Sequence, residues 1–218
     1  MYTNRVIQHV PTNQKNIALT INIAHGSQVP MKMLFLLRRL GVTKATFFVT
    51  GKWAELNPRI TKKIQRMGYE IASHGYRHDN YTSHSNAWIK QDVHSARKAI
   101  YHITGVRTNM IRTPSGDFDD RVIKQLLRMN QTIVHWDIDS LDWKLTRTAD
   151  IVRRVIPHAH PGGIVLLHAC DPWIQSLKAV PLIVNGLRKQ GYHFVTISEL
   201  LGKRNPLRKS SNRRQRFV

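Results

Sequence analysis

Short, continuous apolar runs alternate with segments of helical apolar spacing along most of the chain. The runs are predicted strands, and they cover residues 16–24, 45–49, 69–73, 109–112, 132–136, 163–167 and 194–197. Helical spacing lies between them, over residues 30–40, 57–68, 88–104, 119–129, 150–156 and 177–190. Strands that are apolar throughout are typical of parallel sheets covered on both faces. The pattern therefore predicts an α/β fold built on a parallel sheet.

The number of strand–helix units favours a distorted (β/α) barrel of about seven units, smaller than the usual eightfold barrel. At 218 residues, one domain with one core is expected. Residues 1–14 form a polar lead-in, in which Arg5-Val6-Ile7 is a candidate edge strand. The main domain covers residues 15–202. Residues 203–218 are basic, contain no acidic residue, and are predicted to be a disordered arm.

Polar or ionisable side chains follow nearly every predicted strand. In a parallel barrel the carboxyl ends of the strands face one site, so these side chains should converge there. A stability role explains one or two buried polar groups but not a whole set. The set is Asn22, His74, His78, Arg112, Asp139, Asp142 and His168.

Two of these residues suggest a metal site. His74 and His78 are four positions apart directly after an apolar run, where two neutral imidazoles can bind one divalent ion. The alternative is a polar loop in a chain that has 12 histidines. The one cysteine, Cys170, excludes an internal disulfide and a thiolate zinc cluster.

Taken together, these residues resemble the polysaccharide deacetylase family, the chitooligosaccharide-deacetylase-like carbohydrate esterases, over roughly residues 16–201. The resemblance is closest to the sporulation-type peptidoglycan deacetylase subgroup. Four motifs carry it: Ser73-His74-Gly75-Tyr76-Arg77-His78, Arg112-Thr113-Pro114-Ser115-Gly116, Asp139-Ser140-Leu141-Asp142-Trp143 and Leu166-Leu167-His168.

The resemblance implies metal-dependent hydrolysis of N-acetyl groups, with zinc or another divalent metal as cofactor. Its substrate would be an N-acetylated polysaccharide, either peptidoglycan or a chitin-like polymer. The implied roles are metal ligation by His74 and His78, general acid catalysis by His168 oriented by Asp142, positioning of the catalytic aspartate by Arg112, and lining of the substrate groove by Pro114, Trp143 and Leu166.

The first family motif is degenerate. The family has Thr-Phe-Asp-Asp-Gly, or a longer form in one subgroup, whereas this chain has Thr20-Ile21-Asn22-Ile23-Ala24-His25-Gly26. Asn22 therefore occupies the position of the general base, and no carboxylate follows it before the glycine. Because an amide has no useful basicity, activity should be weak, and a catalytically inactive wall-binding relative is the alternative.

This departure affects the interpretation of His25 and Arg112. His25 could replace the missing metal ligand, but a role as a wall or stacking residue of the substrate groove is favoured. Arg112, without an aspartate to hold, could pair with Asp142, Asp139 or a substrate carboxylate. His135 is interpreted as a satisfied core histidine.

The charge of the chain points to anionic partners. Lys and Arg number 34 against 13 Asp and Glu, a formal net charge of +21. The basic tail could tether the protein to an anionic wall polymer or to anionic lipid. Nucleic acid is a remote alternative, because charge alone supports it and no recognition motif does. We expect a monomer outside a bacterial cell, at the wall or membrane surface, with any leader or anchor missing from this chain.

Overall fold

The computed structural model describes residues 6–202, which form a curled sheet of parallel strands flanked by helices. The strands are β1 Val6–Ile7, β2 Asn16–Ile23, β3 Thr46–Val49, β4 Glu70–Ser73, β5 Met110–Ile111, β6 Thr132–Val134, β7 Ile138–Asp139, β8 Ile164–His168 and β9 His193–Val195. The helices are α1 Gln28–Arg39, α2 Gly51–Leu56, α3 Pro58–Arg66, α4 Asn86–Thr104, α5 Asp120–Arg128, α6 Thr148–Val155, α7 Gln175–Lys189 and α8 Ile197–Leu200.

The sheet follows the order β1-β6-β5-β4-β3-β2-β8-β7, and β9 pairs with the start of β2. Each strand pairing is parallel. Within residues 6–202, β1 and β7 are the two edges and do not pair with each other. The predicted distorted barrel is confirmed as a curled, incompletely closed one.

The central strand β2 explains how the chain places a polar residue at the mouth of the barrel. Its odd-numbered residues, from Ile17 to Ile23, belong to the core between sheet and helices. Ala18 packs in a second cluster with residues of β3, β4 and β8 inside the barrel, and alternation puts Asn22 on that same face. Asn22 lies opposite Phe48 on β3 and His168 on β8 in the strand register.

Three elements differ from the sequence prediction. β7 lies in a stretch expected to be a loop, and α2 follows β3 without a distinct helical pattern. The predicted strand 194–197 was wrong at its end, because Thr196 caps α8 in a capping box with Glu199. These elements are two to six residues long, too short for periodicity to identify them.

The lead-in segment packs against the barrel. The expected edge strand is present as β1, which pairs with β6, while Arg5 and the basic tail lie outside the described residues. The Val10 amide donates to the Gly162 carbonyl at 3.0 Å, and His9 forms a bridge with Gly163. This segment therefore connects the β1 edge to the loop before β8. None of the described helices is both long and apolar enough to span a bilayer.

Gly162→Ala tests this connection. Gly162 has φ +81°, and an added Cβ would lie 1.8 Å from the Val10 carbonyl oxygen. Gly68→Ala is a matched control, because its φ is +82° but no atom lies within 4 Å of its added Cβ. Left-handed backbone strain should lower the unfolding free energy of both variants by about 1–2 kcal/mol. The clash with the Val10 carbonyl should cost Gly162→Ala at least about 1 kcal/mol in addition. Equal losses in urea unfolding would show that the lead-in contributes nothing.

Candidate active site

A cavity of about 410 Å³ opens at the carboxyl ends of the strands, where the sequence predicted a site. Residues from β2, β7 and β8 and from the loops that follow the strands meet there. The lining residues are Asn22, His74, His78, Ser115, Gly116, Trp136, Asp139, Trp143, Leu166, His168 and Trp173.

His74 and His78 lie together on one side of this cavity. Their ring centroids are 5.0 Å apart, with His74 buried and His78 exposed at the rim. His74 Nδ1 lies 2.8 Å from the Arg112 carbonyl oxygen, which can only accept, so Nδ1 carries the proton and Nε2 keeps its lone pair. The hydrogen bond from Nδ1 fixes the orientation of the His74 ring, as is usual for metal-binding histidines.

Both rings are suited to bind a cation because they are neutral. Burial holds the pKa of His74 well below its usual value, and charge on His78 lowers it further. Desolvation also lowers the pKa of His78, and charge on His25 and His168 lowers it further. The pair fits two positions of a divalent metal site. Within residues 6–202, no group of three or more His, Cys, Asp or Glu could hold a metal ion.

A buried carboxylate holds the loop between the two histidines. Asp92, on α4, accepts hydrogen bonds from the backbone amides of Tyr76 and Arg77 at 2.8 and 2.9 Å, and from the Tyr81 hydroxyl at 2.6 Å. Gly75 has φ +74°, and a Cβ there would lie 2.9 Å from the Asp92 carboxylate. Sequence reasoning missed Asp92, because a single acid on an amphipathic helix gives no local signal.

The position of the general base is occupied by an amide bound to a buried arginine. Arg112 donates from Nη1 to Asn22 Oδ1 at 2.8 Å. Since a guanidinium can only donate, the amide oxygen must face it, and Asn22 Nδ2 has no acceptor among residues 6–202. Asn22 therefore presents a proton donor to the cavity where the family motif has a carboxylate.

The other partners of Arg112 differ from those expected. It donates to the carbonyl oxygens of Val134 and His135 at 3.3 and 2.8 Å, and the Phe48 ring centroid lies 4.1 Å from its guanidinium carbon. The proposed pairing with Asp142 or Asp139 was wrong, since among the described residues Arg112 has no ion pair. Burial lowers the pKa of Arg112 to about 9, and the charge of Asp139 opposes this shift.

The general-acid candidate is held as the sequence predicted. His168 Nδ1 lies 2.7 Å from Asp142 Oδ1, and the His168 amide donates to Asp142 Oδ2 at 2.8 Å. The Ser176 hydroxyl donates to the same Oδ2 at 2.6 Å. The carboxylate thus leaves the second ring nitrogen of His168, a lining residue, free for a ligand. Ser176 was missed, because it lies on α7, 34 positions after Asp142.

Indole rings form much of the cavity wall. Trp143 is 45% exposed, and the Trp173 ring lies edge-on to His168 with centroids 4.9 Å apart. Trp136 stacks on His135 at 3.7 Å. Leu166 lines the cavity from β8 as expected.

Three residues near this wall lie in positions that differ from those expected from the sequence. Pro114 is buried and does not line the cavity, whereas its neighbours Ser115 and Gly116 do. His25 is exposed outside the lining, with its ring centroid 6.0 Å from that of His78. His135 is half-buried rather than a core residue, and burial lowers its pKa to about 4.

Comparison with known proteins gives a consistent result. Residues 9–134 match the polysaccharide deacetylase family profile. The chain is 31% identical to the uncharacterized protein YlxY of Bacillus subtilis, over 85% of this chain and 57% of YlxY. It is also 31% identical to the peptidoglycan-N-acetylmuramic acid deacetylase PdaA of Bacillus subtilis, over 87% of this chain and 73% of PdaA.

A solved structure is similar as well. BA3943, a CE4 family pseudoenzyme from Bacillus anthracis, superposes with a TM-score of 0.83 at 31% identity, over 90% of this chain and 68% of BA3943. A mutant of BA3943 with restored enzymatic activity superposes equally well, with a TM-score of 0.83.

Asp92→Ala should destabilise the protein by about 2–4 kcal/mol, because three donors in and beside the histidine loop lose their acceptor. Asp92→Asn should lose less, since its amide oxygen can still accept. Asp120→Ala, at an exposed position on α5, is the control and should change stability by less than about 0.5 kcal/mol. Urea unfolding measures all three. A loss for Asp92→Ala no larger than the control's would contradict the role given to Asp92.

Proposed function

Because the chain belongs to the polysaccharide deacetylase family, we propose that it acts on N-acetyl groups of cell-wall peptidoglycan with weak turnover. One observation carries the proposal: Asn22 keeps the contact with Arg112 while the His168–Asp142 pair and the two adjacent histidines are in place. The pocket thus has the shape of a deacetylase site but lacks its base.

His74 and His78 are the residues that would hold a divalent metal, and zinc suits two imidazoles. A bound ion would polarise the acetyl carbonyl and favour ionisation of water. We propose that it binds weakly, since Ala24 and Asn22 supply no carboxylate ligand.

Three side chains of the protein would act in proton transfer and in substrate binding. His168 would protonate the departing amine through the ring nitrogen that Asp142 does not engage. Asn22 can donate a hydrogen bond but cannot take a proton from the attacking water, and this step limits the rate. The exposed face of Trp143 would bind the sugar ring. Acetate and a free amino sugar would be the products.

Peptidoglycan is the proposed substrate because PdaA carries that activity, while a chitin-like polymer would present the same acetamido group. The chain spans only 57% of YlxY and 68% of BA3943, so any contribution from further segments is outside this proposal. We place the protein, as a monomer, at the outer surface of a bacterial cell.

The second candidate function is carbohydrate binding without turnover. The Asn22 amide favours it, and so does the likeness to a protein described as a pseudoenzyme. Both candidates use the same groove, so they differ only in catalysis.

Asn22→Asp should raise deacetylation at least tenfold, which is less than the roughly 10²–10⁴ that a positioned base supplies, because the metal site still lacks a carboxylate ligand. The Arg112 charge should keep the new carboxylate ionised near neutral pH. The measurement is acetate release from N-acetylglucosamine oligomers and peptidoglycan, with zinc content determined in the same samples.

The control Asn22→Ala removes the amide without adding a base and should give no gain. The variant Asn22→Asp with Ala24→Asp should bind more zinc if the missing ligand also limits activity. If Asn22→Asp stays inactive while holding zinc and folding normally, binding without turnover becomes the better account. A wild-type protein as fast as ordinary deacetylases would contradict weak turnover.

Trp143→Ala tests the groove in either case. Losing the indole face should weaken binding to soluble peptidoglycan fragments about threefold to tenfold. Tyr101→Ala is the control, because Tyr101 is equally exposed at 45% but lies on α4, outside the cavity lining. Isothermal titration measures both, and an equal effect of the two variants would argue against the groove.

A further inference from the structure

Three helices on one side of the sheet are basic and contain no acidic residue. α1 packs against both α3 and α7, so their outer sides form one surface, here called the basic face. Its cations are Lys32, Arg38, Arg39, Arg59, Lys62, Lys63, Arg66, Lys178, Arg188 and Lys189. Within residues 6–202, none of these side chains forms an ion pair.

Asp171 touches these helices, because its carboxylate accepts hydrogen bonds from the Ser27 and Val29 amides at the start of α1. Other acidic residues have their partners elsewhere. Asp150 pairs with arginines of α6 and its N-terminus, Glu199 pairs with Lys44, and Asp142 binds His168. The basic face therefore presents a positive field that attracts a negatively charged surface.

A groove between α1 and α7 adds apolar surface to the basic face. Its volume is about 360 Å³, and its lining residues are Lys32, Phe35, Leu36, Arg39 and Leu177. Phe35 is 52% exposed, with Lys63 Nζ 4.4 Å from its ring centroid. Leu182, on α7, is 51% exposed.

The combination of apolar floor and cationic rim decides which anion fits. A soluble polyanion would use only the cations and would leave Phe35 and Leu182 in water. A lipid surface provides negative headgroups for the cations and an apolar interface for these two side chains. We propose that the basic face docks on an anionic phospholipid bilayer, with Phe35 entering the interfacial region.

Docking in this way leaves the active site open. The described helices cannot cross a bilayer, so the contact is peripheral. No residue that lines the catalytic cavity belongs to α1, α3 or α7. The cavity could therefore take a wall polymer while the basic face rests on the membrane.

The test is co-sedimentation of the full chain with phosphatidylcholine vesicles, with and without one third phosphatidylglycerol. Lys32→Glu with Lys178→Glu should weaken binding to the anionic vesicles at least tenfold, given about 1 kcal/mol per basic residue at such a surface. Phe35→Ser should weaken it about threefold to tenfold, because apolar contact is lost while charge is kept. Neutral vesicles should bind poorly throughout.

The matched control is Arg128→Glu with Lys144→Glu, which changes the net charge equally at exposed positions off the basic face. It should weaken binding less than threefold, and circular dichroism should show every variant folded. Equal losses for the two double variants would assign binding to net charge and overturn the proposal, as would wild-type binding by the first double variant. If Phe35→Ser binds vesicles like the wild type while soluble polyphosphate binds as tightly as vesicles, the face recognises a polyanion rather than lipid.

Discussion

A buried guanidinium at the mouth of the barrel connects most parts of the candidate active site. Arg112 is fully buried and donates to Asn22 on β2 and to backbone carbonyls at the end of β6, while its own carbonyl orients His74. Burying a guanidinium is costly unless each donor direction finds an acceptor, so the surrounding strands must keep this arrangement. The pocket therefore keeps its shape even where its chemistry has changed.

The exchange of a carboxylate for an amide illustrates this separation of shape from chemistry. An amide oxygen accepts from Arg112 as a carboxylate oxygen would, so the geometry survives. The amide carries no charge and so provides no counter-ion, and burial lowers the pKa of Arg112 to about 9. It also presents a donor to the cavity. Either proposed function, weak turnover or binding without turnover, would follow from this exchange of a carboxylate for an amide. The likeness to a pseudoenzyme and to a mutant of it with restored enzymatic activity supports this proposal.

Several of the few acidic residues in this basic chain hold the active-site loops in place by accepting hydrogen bonds. Asp92 holds the histidine loop, Asp142 holds His168, and Asp139 accepts from the Leu141 amide at 2.8 Å, where Leu141 has φ +51°. These carboxylates are engaged near the mouth of the barrel, and the cations of the basic face have no ion-pair partner among residues 6–202. The hydrogen-bonded polar pocket and the basic face therefore lie on different parts of the molecule.

The sequence by itself determined the alternation of strands and helices, the curled parallel sheet, and the convergence of strand-end residues on one mouth, because burial of continuous apolar runs is a local property. The resemblance of its motifs to the polysaccharide deacetylase family also implied the His168–Asp142 pair. Only the tertiary structure decided the partners of Arg112, the burial of Pro114, the exposure of His25, and the contributions of Asp92 and Ser176. Those contacts join residues distant in the chain, and they depend on how helices pack against the sheet, which no local pattern specifies.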